Sequence, residues 1–393
     1  MLVLAAITPE LVTMRYGASA LSVIIPGGRY IDSSVAILYM LAIALSCGWL
    51  LHSLTFLSPQ MSASRTHRTS QLGIWLPYAI AWALGALFGA SQGAATYAWV
   101  SLFMAAGVAA TSVLSGRQGM TAAALAMSRF LVVASLLAGL LMPARAYAPY
   151  SVWPGGWWTG VDRLQGVLPH PNTLGWVAAL AIALELFAAK RTRWVFVPLG
   201  LLALAQCGSR TAALALVAGL IAALLLWLSQ RGTLAPALTL LLGGALGSVA
   251  ILFALLEGFS LESFNGRLET WKAALTVFSE HPVLGSGPGA YLLAESGSPA
   301  TGYAHNQVFQ TLSELGLIGL AALTIHIIAL IRFVRRKSDP YFGLVLVVMW
   351  CTMFLSENIL RFASTNFVLQ IILFQFALYA SVEMRRMERR APP

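Results

Sequence analysis

Long apolar runs separated by short polar breaks dominate this chain, and twelve of them read as helices. They lie at roughly 3–25, 34–57, 72–91, 95–114, 120–142, 173–190, 193–208, 211–229, 233–256, 307–331, 341–358 and 363–383. About 18 consecutive apolar residues are enough to cross a bilayer, and a helix satisfies every backbone group of such a run internally. Pro9, Glu10 and Arg15 interrupt the first run, which predicts a short, tilted or re-entrant segment. Two breaks, 143–172 and 257–306, are far longer than the rest. The pattern therefore predicts an all-α fold: a polytopic transmembrane helical bundle of about 12 spans forming a single integral-membrane domain over 1–393, with its largest loop between spans 9 and 10.

Composition reinforces this picture. Of the 393 residues, 59% are hydrophobic and 10% are charged, and the mean hydropathy is +0.78. A soluble domain carries roughly 25% charged residues, so a solvated globule is excluded. The net charge of +10 would suit nucleic acid, but its placement argues against that partner. Fifteen of the 24 Lys and Arg residues fall in alternate short loops: Arg65, Arg68, Arg117, Lys190, Arg191, Arg193, Arg231, Arg332, Arg335, Arg336, Lys337, Arg385, Arg386, Arg389 and Arg390. That is the positive-inside pattern. It predicts both termini in the cytoplasm, with 143–172 and 257–306 on the outer face together with 26–33, 92–94, 209–210 and 359–362. Cys47, Cys207 and Cys351 sit in or at the ends of apolar runs, where they read as packing residues. No cleavable leader is evident at the N-terminus.

The outer loops hold the polar chemistry. Loop 143–172 combines Tyr147, Tyr150, Trp153, Trp157 and Trp158 with turn residues; it reads as an interfacial aromatic belt, or as a platform for sugar faces or headgroups. Loop 257–306 carries Arg267, turns through His281-Pro282 and Gly285–Gly289, and closes on His305-Asn306. No GK[ST] follows the glycines, so they read as a turn rather than a phosphate loop. Asn306 is placed to cap the next helix, which puts His305 at the outer rim on a rigid element. Imidazole is the side chain best matched to proton transfer near neutral pH. Arg210, between two apolar runs, shares the outer face with Arg267 and His305, and planar guanidinium forks suit phosphate oxygens. Each alone has a plainer reading: a headgroup contact for His305, a snorkelling cation for Arg210 and a solvated charge for Arg267.

Inside the membrane, Arg129 needs a polar cavity or a partner, and Glu185 is a candidate for that role. Glu314 lies nine residues after His305 and so projects from the opposite side of the same helix. The outer-face carboxylates Asp162, Glu257, Glu262, Glu269, Glu280 and Glu295 form no Asp-x-Asp pair, and no His/Cys cluster suggests a metal.

Taken together, His305-Asn306, nine residues, then Gly316-Leu317-Ile318-Gly319 resembles the signature of the O-antigen ligase and polymerase-like family of bacterial integral-membrane glycosyltransferases. Further segments support the resemblance: Arg163-Leu164-Gln165-Gly166 before His170-Pro171-Asn172-Thr173-Leu174-Gly175, the segment 208–212, and Arg267-Leu268-Glu269-Thr270-Trp271 with His281-Pro282. The likeness covers roughly 160 to 320; the first five spans match only in character. Leu320 stands where the motif often has Ser or Thr.

The resemblance implies a GT-C-like membrane enzyme of the bacterial inner membrane, in lipopolysaccharide biosynthesis, with its site on the periplasmic side. The donor would be a glycan on undecaprenyl pyrophosphate and the acceptor a hydroxyl of lipid A-core, as in an O-antigen ligase. A polysaccharide polymerase or a protein O-oligosaccharyltransferase is the alternative within the family. In this reading His305 is the general base, and Arg210 and Arg267 hold the pyrophosphate. Arg163, His170, Asn172, Asn306 and Arg129 are secondary candidates. The reaction inverts the anomeric centre and uses no cofactor or metal. From another class, twelve spans with both termini inside also fit an anion or bicarbonate transporter, although transporters place their sites near the midplane.

Overall fold

The computed structural model describes residues 65–91, 120–149, 160–168, 170–188, 191–230, 267–288, 304–355, 357 and 365–390. The expected spans 3–25, 34–57, 95–114 and 233–256 lie outside the described residues. The other expected spans fall on helices: α1 Arg65–Ser91, α2 Met120–Leu141, α4 Pro171–Ala188, α5 Arg193–Cys207, α6 Arg210–Gln230, α8 Gln307–Lys337, α9 Pro340–Phe354 and α10 Thr365–Arg390. Among the described residues, four helical stretches are long and apolar enough to cross a membrane: Thr121–Leu141, Pro171–Ala188, Arg210–Gln230 and Gln307–Arg336.

Regular structure also occurs where the sequence reading placed only outer loops. A short helix, α3 Pro143–Ala146, leads into an antiparallel pair of two-residue strands, β1 Tyr147–Ala148 and β2 Arg163–Leu164. The fold is thus not purely helical. Backbone groups buried at the rim need partners, and these two segments supply them to each other. In 257–306, residues 267–280 form helix α7.

Four helices share an aromatic spine. Trp350 of α9 stacks on Phe374 of α10 at 3.9 Å between centroids, and touches Trp176 of α4 at 5.7 Å and Trp75 of α1 at 6.5 Å. Such offset and tilted pairs are favourable geometries for ring quadrupoles. α4 is buried along nearly its whole length and packs against α2, α5, α6 and α10. It is the central post of the bundle. Near one end of this post the pairing expected for Arg129 is present: its Nε donates to Glu185 Oε1 at 2.5 Å, its Nη2 reaches the Thr192 hydroxyl, and the guanidinium lies over Phe196.

α8 is not the uniform span expected for 307–331. At Gly316 the backbone turns to φ 62 and ψ −155, breaking the helix in two. A broken helix in lipid must have its freed backbone groups satisfied by neighbouring protein. Here the turn 282–287 fits against the break. Ser286 and Gly287 N–H groups donate to the Ser313 and Glu314 carbonyls, and the Leu317 and Ile318 N–H groups donate to Pro282 and Val283. A Cβ on Gly316 would stand 2.5 Å from both Gly285 N and Val283 O, and one on Gly285 would stand 2.3 Å from Leu315 N. Both positions also have positive φ. The Gly316-x-x-Gly319 motif and the glycine-rich turn are two halves of one joint.

The upper half of α8 is fastened to α1 by buried polar side chains. Tyr78 Oη lies 2.9 Å from Gln307 Nε2 and 3.1 Å from Thr311 Oγ1, and all three residues are fully buried. Gln307, Thr311 and Glu314, also fully buried, follow the i, i+4, i+7 spacing of one helical face.

Candidate active site at the start of the central helix

Asn306 caps α8 as the sequence suggested. Its Oδ1 accepts from the Val308 and Phe309 N–H groups at 2.9 and 3.2 Å, and its Nδ2 donates to Leu355 O just after α9. One residue earlier, His305 takes φ 47, the one positive φ of a non-glycine residue among the described residues. Such a conformation costs about 1–3 kcal/mol and tends to mark a functional site. Ala304 is held from both sides, its N–H by Gln310 Oε1 at 2.7 Å and its carbonyl by the Thr270 hydroxyl at 3.4 Å.

His305 Nδ1 lies 3.6 Å from Glu357 Oε2, an electrostatic contact slightly longer than a hydrogen bond. The sequence reading did not single out Glu357. The expected span 341–358 includes it, whereas α9 ends at Phe354 and Glu357 sits just beyond. A carboxylate at the edge of an apolar run was the available signal.

From Glu357 the contacts continue inward. Its Oε1 accepts from Asn172 Nδ2 at 2.7 Å, Asn172 Oδ1 accepts from Arg163 Nη2 at 2.6 Å, and Arg163 Nε donates to Cys207 O at 2.8 Å. Arg163 is therefore held at the start of β2 by two partners. Burial lowers its pKa from the usual arginine range; the charge of Arg210 adds to that effect, while Cys207 and Glu357 oppose it.

Asn172 does not cap α4. It is the second residue of the helix, after Pro171. The cap is His170, whose Nδ1 accepts the Asn172 backbone N–H at 2.9 Å. Burial pushes the His170 imidazole down to about 4, with Arg163 and His305 acting in the same direction and Glu357 against it.

Five expected site residues thus meet with Glu357 around the Pro171 end of α4. His305, Asn172 and Arg163 are joined by contacts through Glu357, Asn306 follows His305 in the chain, and His170 accepts the Asn172 backbone N–H. Arg210, the exposed first residue of α6, acts on Arg163. It follows the left-handed turn at Gly208 that joins α5 to α6. Arg267 is the first residue of α7; its side chain lies outside the described residues. The backbone brings α7 to the site, since Thr270 touches Ala304 and Trp271 stacks on Phe309 at 5.3 Å. Arg129 does not join the cluster. Its partner Glu185 is 15 residues from His170 along α4, or about 20 Å at the helical rise.

The arrangement offers a histidine with a carboxylate near Nδ1, a partly buried amide at Asn172, a buried cation at Arg163 and an exposed one at Arg210. Such a set can remove a proton from a hydroxyl and hold an anionic leaving group. No curated protein matches the chain. Residues 195–324 match the family model described as O-Antigen ligase, a segment that contains Arg210, Arg267, His305 and the glycine joint. That match supports the chain's membership of an O-antigen ligase-like family.

Proposed function

We propose that this multi-pass membrane protein transfers a glycan from undecaprenyl pyrophosphate to an acceptor hydroxyl on the outer face of the bacterial inner membrane, as an O-antigen ligase acting on lipid A-core. The observation that carries this reading is the contact chain His305–Glu357–Asn172–Arg163 beside Arg210, in a protein that matches the ligase family.

His305 acts as the general base. The Glu357 carboxylate beside Nδ1 favours the ring proton on that nitrogen and leaves the Nε2 lone pair for the acceptor hydroxyl, the logic of a carboxylate–histidine pair. The hydroxyl oxygen attacks the anomeric carbon as its proton passes to Nε2. The bond from that carbon to the pyrophosphate oxygen breaks with its electron pair, and the configuration inverts. Arg210 and Arg267 meet the charge that collects on the leaving undecaprenyl pyrophosphate. Glu357 is a positioning residue that acts through His305, and Arg163 with Asn172 holds Glu357 in place.

Reconstitution in proteoliposomes with a lipid-linked oligosaccharide and lipid A-core tests the reading. His305→Ala should lose at least about 10²-fold in kcat, the lower range for a general base, with folded protein retained. Glu357→Gln should lower kcat while leaving the acceptor KM within about twofold. Arg210→Ala and Arg267→Ala should raise the donor KM, and Lys at either site should rescue poorly because it lacks the planar fork. Full turnover in His305→Ala rejects the base assignment. Uptake of a labelled anion by the same vesicles, without glycan transfer, would reverse the functional class.

A further inference from the structure

We infer that Gln310 is a positioning residue for His305: it grips the chain on both sides of the histidine and so holds the imidazole in its working direction. This deepens the glycan-transfer reading and rests on it for its catalytic part.

The hold is visible in the backbone. His305 has φ 47, a conformation that non-glycine residues seldom adopt unless their surroundings over-determine it. Gln310 supplies that determination from one turn further along α8. Its side-chain Oε1 accepts the Ala304 N–H at 2.7 Å, and its own backbone N–H donates to the Asn306 carbonyl at 3.0 Å. One residue therefore fixes the neighbour before His305 and the neighbour after it, and the histidine stands at the bend of the loop that this closes. Gln310 and Ala304 are both fully buried, where a hydrogen bond is electrostatically stronger than in water. The Thr270 hydroxyl of α7 holds the Ala304 carbonyl at 3.4 Å; this bond is longer and comes from a separate helix, so the Gln310 bond is the firmer of the two.

The residue type agrees with this role. An amide buried in the first turns of an apolar helix is costly unless it is engaged, and a leucine would pack there without that cost. Gln310 acts on the chemistry only through the backbone. The φ of residue 305 sets the direction in which its ring leaves the chain, and that direction keeps Nδ1 at 3.6 Å from Glu357 Oε2. A base must also bring Nε2 within about 2.6–3.2 Å of the hydroxyl it deprotonates. Without the grip, residue 305 relaxes toward an ordinary φ and the ring turns away from both.

Substitutions at 310 separate a positioning role from general packing. Gln310→Met keeps the length of the side chain but has only a weak thioether acceptor, while Gln310→Glu keeps an acceptor oxygen. In the proteoliposome assay the kcat of Gln310→Met should fall by about 5–100-fold, the range set by the strained conformation it releases, with donor and acceptor KM within about twofold of wild type. Gln310→Glu should recover most of the lost kcat. Gln310→Asn, one carbon too short to reach Ala304, should behave like Gln310→Met and serves if that variant folds poorly. Thr121→Val is the control for stability: it removes one hydroxyl bond, to Glu383 at 2.7 Å, and should leave kcat at the wild-type value. Hydrogen exchange gives a readout that needs no turnover. The Ala304 amide should exchange about tenfold faster in Gln310→Met, the value of one hydrogen bond, and at the wild-type rate in Gln310→Glu.

Wild-type kcat in Gln310→Met overturns the inference, as does an Ala304 exchange rate that Gln310→Met leaves unchanged. So does a loss of kcat that Thr121→Val reproduces or that Gln310→Glu does not recover, which marks general loosening. Absence of any transfer by the wild-type protein refutes the proposed function instead, and the exchange rates then still decide whether Gln310 holds the loop.

Discussion

Replacing Gly316 with alanine should undo the joint in α8. The backbone there, at φ 62 and ψ −155, lies in a region essentially restricted to glycine, and a side chain costs about 1–3 kcal/mol on conformational grounds. The added Cβ would also stand 2.5 Å from Gly285 N and from Val283 O. The turn 282–287 must then retreat, loosening four backbone hydrogen bonds of 2.9–3.2 Å. At about 1 kcal/mol net for each, the total is on the order of 5 kcal/mol. Thermal unfolding of the purified protein in detergent, followed by tryptophan fluorescence, should show a drop on the order of 10 °C. Gly160→Ala is the control: its φ is 77, yet among the described residues nothing lies within 4 Å of the added carbon, so the conformational cost is what it adds. Glycan transfer should also fall in Gly316→Ala, because His305 leads into the displaced half-helix. A melting temperature for Gly316→Ala no lower than that for Gly160→Ala would refute the reasoning.

Asn306→Ala removes the cap on Val308 and Phe309 and the bond to Leu355; it should cost about 1–2 kcal/mol, with Asn306→Asp recovering the cap but not the donor, as read by chemical or thermal unfolding. Glu185→Ala strands Arg129 and should cost about 3 kcal/mol, the low end for a buried pair, since the arginine side chain is 25% exposed; adding Arg129→Leu should restore most of the lost melting temperature. His170 makes stability depend on pH. Its folded value near 4 lies below the ordinary 6.5, so between those limits the unfolded chain binds a proton that the folded one refuses. That contribution is complete above about pH 6.5 and is lost as the pH falls toward 4; His170→Asn should flatten this part of a plot of melting temperature against pH.

Helices were legible in the sequence wherever a long apolar run made lipid the only consistent environment, as in 120–141 and 210–230. Caps were legible too, because Asn306 precedes an apolar run and its short amide reaches back to the first turn. The break at Gly316 was not, since a glycine inside a hydrophobic run reads equally well as a packing contact; only the turn 282–287, brought in from another part of the chain, gives it meaning. The site was half visible. His305, Arg163, His170 and Asn172 could be proposed from motif and topology, but their connection runs through Glu357, which the apolar run before it disguised as part of a span. The cap of α4 is out of reach for a related reason: local spacing cannot show that the Asn172 amide is engaged by an arginine and a glutamate from distant segments, while His170 accepts its backbone N–H.

The contacts of Tyr78 with Gln307 and Thr311 bear on where His305 sits. Slippage of α8 past α1 by one turn, about 5.4 Å, would part the buried Tyr78 hydroxyl from Gln307 and Thr311, leaving polar groups to be satisfied in an apolar setting. Intermediate positions are no better, so the two helices share a detent rather than a smooth rail. The position of the His305 imidazole against α1 is then set by a phenol 229 positions before Gln307, and Tyr78→Phe is the change that would let that position drift.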